Sequence, residues 1–251
     1  MEKLKSIISV LKYVLFIVLS LLLVLVIRLF LCNFYRVPSD SMMPSILPGD
    51  FILADKWTYG ARIFTSLKFD RNSDLPMIHV PGYRKIRRND VLVFNFPYRY
   101  GWDTVRMNLD KIFVKRCIGL PGDTVSVIDG LFHISGSRDT LDFWRIPAAR
   151  TTIRLTPRNF KLYRKQIVYE TNAVIHVADS FVYFNDTVKY DYTFRSNWYF
   201  VAGDNAMNSK DSRYLGLIPE AYIIGKASII ISSKDMNTGK RRWNRILKKI
   251  K

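Results

Sequence analysis

From position 13 to position 35 the chain reads YVLFIVLSLLLVLVIRLFLCNFY, 23 residues interrupted by a single charge, Arg28. As an α-helix this run is roughly 35 Å long, enough to cross the hydrocarbon core of a bilayer. It predicts a retained transmembrane anchor over 13–35, preceded by a short N-terminus, 1–12. A cleaved secretory signal would have a shorter apolar region ending in small residues. Here the run continues into Phe34 and Tyr35, aromatics suited to a membrane interface. Arg28 lies near the far end, where its head can reach the interface along an apolar stem.

Beyond the anchor the period of the pattern drops to two. FILADKW (51–57), NDVLVFNFP (89–97), KIFVKRCIG (111–119) and TVSVIDGLFHI (124–134) are short, rich in β-branched and aromatic residues, and bounded by Gly and Pro. Asp129-Gly130 inside the last is a hairpin signal. IVYET, AVIHVA, SFVYFNDTVKYDYTF and NWYFVAG continue the same texture between 167 and 203. The expected fold class is therefore mainly β behind a single N-terminal transmembrane helix.

Charge narrows the choice of partners. A formal net charge of +18 suits nucleic acid or an anionic membrane surface. The anchor favours the phospholipid bilayer, and no nucleic-acid recognition motif is present. Between Phe143 and Tyr169 no acidic residue occurs while Arg or Lys recurs every few positions, which reads as a solvated face. The end of the chain, KRRWNRILKKIK, spaces Trp243, Ile246, Leu247 and Ile250 at i, i+3, i+4 and i+7 among seven basic residues. That spacing predicts a basic amphipathic C-terminal tail over 234–251, lying as a helix on the membrane surface. Cys32 and Cys117 lack any metal-ligand or disulfide-framework spacing.

Three segments carry candidate chemistry. VPSDSMMPSILPGD (37–50) holds Ser39 and Ser41 in a turn that three prolines keep from becoming helix. In DKIFVKRCIGLPGD (110–123), strand alternation puts Lys115 on the face of Phe113 and Cys117. A lysine buried there is expensive as an ammonium, and burial can bring its pKa from about 10.4 towards roughly 7 to 8, where the amine can accept a proton. GDNAMNSKDSRYLG (203–216) is a loop offering Ser209, Asp211 and Arg213 as polar groups able to hold a base in place.

Together, in this order and behind a membrane helix, these segments resemble the type I signal peptidases, a family of Ser-Lys dyad peptidases. The resemblance rests on Ser41-Met42-Met43-Pro44, on Lys115-Arg116 before Gly119-Leu120-Pro121-Gly122-Asp123, and on Gly203 to Arg213. It implies a β-rich catalytic domain made of 36–133 and 198–233, with 134–197 as a variable β-rich insertion. It implies that Ser41 is the nucleophile and Lys115 the general base. Ser39 and the backbone N–H of Ser41 would receive the oxyanion. Ser209 would orient the lysine amine, Asp211 and Arg213 would pair to support the loop, and Arg116 would pair with Asp204. Val37 and Val114 match residues lining shallow substrate pockets. Ala206 and Met207 depart from the charged residues often found after GDN in the family.

The activity so implied is removal of signal peptides from exported preproteins after small residues, through an acyl-enzyme. It needs no metal and no cofactor. The resemblance also implies the inner (plasma) membrane, with the N-terminus cytoplasmic and the catalytic domain on the outer side. A catalytically inactive, membrane-tethered peptide-binding module is the alternative, and the intact Ser41, Lys115, Ser39 and Ser209 argue against it.

Overall fold

A computed structural model of the chain describes residues 2–66, 68, 74–128, 131–135, 143–171 and 173–251. The apolar run begins as helix α1, Glu2–Val26, and continues through one π-helical turn, Ile27–Leu31. Its span Ile7–Leu31 is long and apolar enough to cross a membrane. Leu11, Phe16, Leu21 and Leu25 are more than half exposed, so none of the other described residues covers the helix.

The helical anchor stops short of its expected end at Tyr35. Cys32–Arg36 is strand β1, paired antiparallel with β2, Asp50–Asp55, and Phe34 stacks on Phe51 with ring centroids 5.7 Å apart. The apolar run therefore belongs to two elements. Phe34 and Tyr35 do not reveal the change, because aromatics belong at a membrane interface and in a strand alike.

Five further strands complete the main sheet: β3 (Val91–Phe96), β4 (Asn108–Gly119), β5 (Trp198–Ala202), β6 (Ile218–Pro219) and β7 (Ile223–Ser233). Their order is β1-β2-β7-β3-β4-β5-β6, with every neighbouring pair antiparallel. Strand β3 is buried at all six positions. Its Val91 and Val93 enter a core with Val37, Met42, Ile46 and Ile52, while Leu92, Phe94 and Phe96 enter one with Cys117, Trp198 and Phe200. A strand with a core on each face shows a continuous apolar run in place of alternation, as VLVF does. Thr124–Ile128 and Leu131–Ser135 pair as the expected hairpin arms; the turn residues Asp129 and Gly130 lie outside the described residues.

The insertion is not wholly β. Pro157–Thr171 forms helix α2, which absorbs the expected strand IVYET and the later part of the expected solvated face. Pro157 suits a first helical turn, and Thr156 Oγ1 accepts from Asn159 N (3.2 Å) as a cap. Phe160, Tyr163 and Ile167 then fall on one buried face against Val182, Tyr192 and Phe194. Glu170 ties the helix end to the main sheet by accepting from Trp198 Nε1 (3.1 Å).

The C-terminal tail is not a helix. Trp243–Arg245 is a single 3-10 turn, Leu247 has φ +59°, and Ile229 and Lys249 form a bridge against β7. The expected apolar stripe is divided. Ile250 enters the core, while Trp243 and Leu247 are exposed. What overrides the helical spacing is burial of Arg245, whose guanidinium pairs with the fully buried Asp50 at 2.6 Å.

Candidate active site

The Ser41 turn is built between β1 and β2. Val37 N donates to Asp50 O (2.9 Å) and Gly49 N to Val37 O (2.8 Å), closing the base of the loop. Ile46 N donates to Met42 O (2.9 Å) within it. Asp50 anchors the loop from below, accepting from Leu47 N (2.8 Å) as well as from Arg245. Arg245 Nη2 also donates to Ser45 O (3.0 Å), and Arg242 Nη1 to Pro48 O (3.0 Å). The C-terminal stretch thus clasps the turn that carries Ser41.

Lys115 reaches that turn from β4, where its register partner is Leu92 on β3. Its Nζ lies 2.6 Å from Ser41 Oγ, with the lysine 4% and the serine 7% exposed. Burial pushes the Lys115 pKa down to about 8, against the pull of the Asp211, Asp204 and Asp40 carboxylates. Near that value an amine donates to a hydroxyl in one protonation state and accepts from it in the other. Ser39 Oγ stands 3.3 Å from Ser41 Oγ on the side open to solvent.

The 203–213 loop follows β5, the neighbour of β4, with Ala202 opposite Arg116. Asp211 is fully buried; its carboxylate accepts from Gly203 N (2.9 Å) and from Arg213 Nε and Nη2 (2.8 Å each). Burial alone would raise the Asp211 pKa, but these donors hold it below the ordinary carboxylate range. Arg116 grips Asp204 with two bonds of 2.7 Å. Both expected ion pairs are therefore present. The expected bond from Ser209 to the Lys115 amine is not: the buried Ser209 hydroxyl instead helps hold the Asp211 carboxylate in its ionised form. Arg213 meets the departure at Ala206 through the backbone, donating to Ala206 O (2.8 Å), and Met207 is almost wholly exposed.

Several contacts went unread in the sequence. Asn205 N donates to Ser41 O (3.1 Å), and Asn208 Nδ2 to both Asp40 carboxylate oxygens (2.9 and 3.0 Å), fastening the loop to the Ser41 turn. Gly203 lies between them, and a Cβ there would stand 2.5 Å from Ser41 O. That glycine was the one visible signal of so close an approach.

A cavity of about 260 Å³ opens beside Ser41 and Lys115, with Val37, Met42 and Tyr35 on one wall and Ile112 to Val114 on the other. It is an apolar trough with hydroxyls and an amine at one end, suited to hold an extended peptide against a reacting serine.

A family model described as "Signal peptidase, peptidase S26" matches residues 10–232. The chain belongs to that family. Among relatives of this signal peptidase, Signal peptidase I of Buchnera aphidicola subsp. Baizongia pistaciae is 29% identical over 84% of this chain and 73% of its own. That of Pseudomonas fluorescens is 30% identical over 82% and 67%, and that of Aquifex aeolicus 28% over 86% and 81%. A solved signal peptidase I from Enterococcus faecalis V583 aligns with 57% of this chain and 97% of its own at 24% identity and a TM-score of 0.27, too loose to carry argument. The protein is a serine peptidase that cleaves signal peptides, and its apolar helix is the membrane anchor of such an enzyme.

Proposed function

We propose that Ser41 and Lys115 form the catalytic dyad of an endopeptidase that works through an acyl-enzyme. The observation that carries this reading is the 2.6 Å contact between two buried groups, one of them an amine whose pKa lies near 8. Neutral Lys115 accepts the Ser41 proton as Oγ attacks the scissile carbonyl. Ser39 Oγ and the Ser41 N–H receive the oxyanion, Lys115 protonates the leaving amine, and it then activates water to free the acyl group.

Support for the base comes from packing. Gly203 leaves room for the loop at the back of the dyad, and Asp211 with Arg213 and Asp204 with Arg116 hold it there. Ser209, buried beside Asp211 in the same loop, belongs to the group that would orient the amine. Val37 and Val114 line a shallow trough, which favours exported preproteins with small residues at the first and third positions before the cut. The catalytic unit is 36–133 with 198–233, carried on the outer side of the plasma membrane by its single anchor.

The test is cleavage of a purified preprotein in detergent by the wild type and by Ser41→Ala. Cleavage after a small residue by the wild type alone is expected. Equal cleavage by both would remove Ser41 from the reaction.

A further inference from the structure

Tyr35 and Ile112 at the far end of the trough also line a second cavity, of about 180 Å³, whose polar walls are Asn33, Lys56, Arg62 and Asn95. Lys56 Nζ donates to Arg28 O (2.6 Å), capping the final turn of the anchor. With its amide oriented so that each end meets a matching group, Asn33 accepts from Lys56 Nζ (3.1 Å) and donates to Arg28 O (3.2 Å). Arg62 donates to Ala221 O (2.9 Å) and Asn95 Oδ1 (2.8 Å). All these acceptors are neutral. Among the described residues neither cation forms an ion pair.

Two cations beside one another, Lys56 buried and Arg62 partly so, leave the cavity with positive charge that no carboxylate among the described residues compensates. Burial lowers the pKa of both; Arg62 falls to about 10, and its charge in turn pushes Lys56 further down. Arg62 uses two of its five N–H donors on protein acceptors, so its planar fork keeps room for an oxyanion. The position names the anion's source. Arg28 and Leu29, whose carbonyls face Lys56, belong to the last turn of the span Ile7–Leu31, where the anchor leaves the bilayer. Phosphate at that depth belongs to lipid headgroups.

We propose that this cavity binds the phosphate of a phospholipid headgroup, with Lys56 and Arg62 as its cationic partners. The lipid then occupies the membrane-proximal end of the trough that holds Ser41 at its other end, because Tyr35 and Ile112 wall both. It fixes the depth at which the trough meets the bilayer.

Full-length protein in a phosphate-free detergent, titrated with short-chain phosphatidylglycerol and followed by phosphorus NMR, tests this. Saturable binding at one site per chain is expected. Arg62→Gln should weaken it at least tenfold, Arg62→Lys less, and the exposed Lys161→Gln not at all. Inorganic phosphate should bind at least tenfold more weakly than the lipid. Binding that never saturates, or Arg62→Gln matching the wild type with an unchanged circular dichroism spectrum, would overturn the site. Inorganic phosphate binding as tightly as the lipid would overturn its assignment to a headgroup. The readout is binding, so its failure is separate from any failure of the dyad.

Discussion

The insertion and the C-terminal stretch are both strongly basic and both lie outside the three motif segments, yet the fold uses them in opposite ways. Helix α2 turns Lys161 and Arg164 to solvent and buries Phe160, Tyr163 and Ile167 in a small core of its own. Residues 234–250 run along β7, bury Arg245 beside Asp50, and hold the turn that presents Ser41. Basic charge spread over a helix surface contributes little to stability, whereas one buried arginine paired with a buried carboxylate fixes a loop. Charge density along the chain does not distinguish the two. What distinguishes them is whether an acid waits in the core.

The scale for any effect of either region is set by the dyad. Ser41→Ala and Lys115→Met should each lower preprotein cleavage by about a thousandfold or more with the fold retained. Steady-state cleavage together with thermal melting checks this, and a tail or insertion variant that fell as far without unfolding would break the contrast drawn above.

Below its pKa of about 8, Lys115 carries the proton it must lack. Cleavage should therefore fall about tenfold per pH unit on the acid side and level off above 8. Stability moves with the same group. Because the folded pKa lies below the unfolded value of about 10.4, the unfolded chain binds more protons between the two, and this group's contribution rises with pH across that window. Lys115→Met should accordingly melt higher than the wild type at pH 6. A kcat profile for Arg245→Met should keep its midpoint near 8 if the tail supports the turn alone; a shifted midpoint would mean that it also tunes the base.

Removing Arg245 leaves Asp50 buried and unpaired, so Arg245→Met should cost about 3 to 5 kcal/mol in urea unfolding at pH 7. Burial opposes ionisation of Asp50, but Arg245 and the Leu47 N–H outweigh it and hold its pKa below the ordinary value. That contribution is present above about pH 4 and is lost as pH falls through the folded pKa. The variant should therefore lose less stability on acidification than the wild type. Asp50→Asn combined with Arg245→Met should recover part of the loss, which a double-mutant cycle would quantify.

The smallest effect belongs to the insertion. Lys161→Gln with Arg164→Gln should change stability by about 0.5 kcal/mol or less and leave cleavage unchanged, since both side chains are exposed. A marked loss of preprotein cleavage with short-peptide cleavage intact would instead show that the helix face meets the substrate or the membrane.

Local chemistry was legible where a residue type is costly or unusual. The long apolar run pointed to the anchor and the period-two segments to the sheet, because each pattern has few physical uses, whereas Lys115 stood out as a candidate base only with the family motifs around it. The end of the anchor was not legible, since Phe34 and Tyr35 suit a membrane interface as well as a strand, and only pairing with β2 makes Cys32–Arg36 strand. Helix α2 was hidden in a related way. Its buried positions are four in fifteen residues, one of them the polar Gln166, and IVYE reads equally well as a short strand. Ser209 was legible as a member of the loop, but its hydroxyl's direction is a matter of rotamer and packing.

By itself, then, the sequence determined that a β-rich domain stands behind a membrane helix, and its motifs singled out Ser41 and Lys115 as the reactive pair proposed above. These follow from composition, period and motif, which are local properties. Only the tertiary structure decided that Lys115 meets Ser41 at 2.6 Å, that Arg245 reaches Asp50 across 195 positions of chain, and that Lys56 and Arg62 share a cavity at the end of the anchor. A pairing of distant residues depends on strand order and register, and the free energy that selects it comes from burial summed over the whole sheet, which no single segment of the sequence contains.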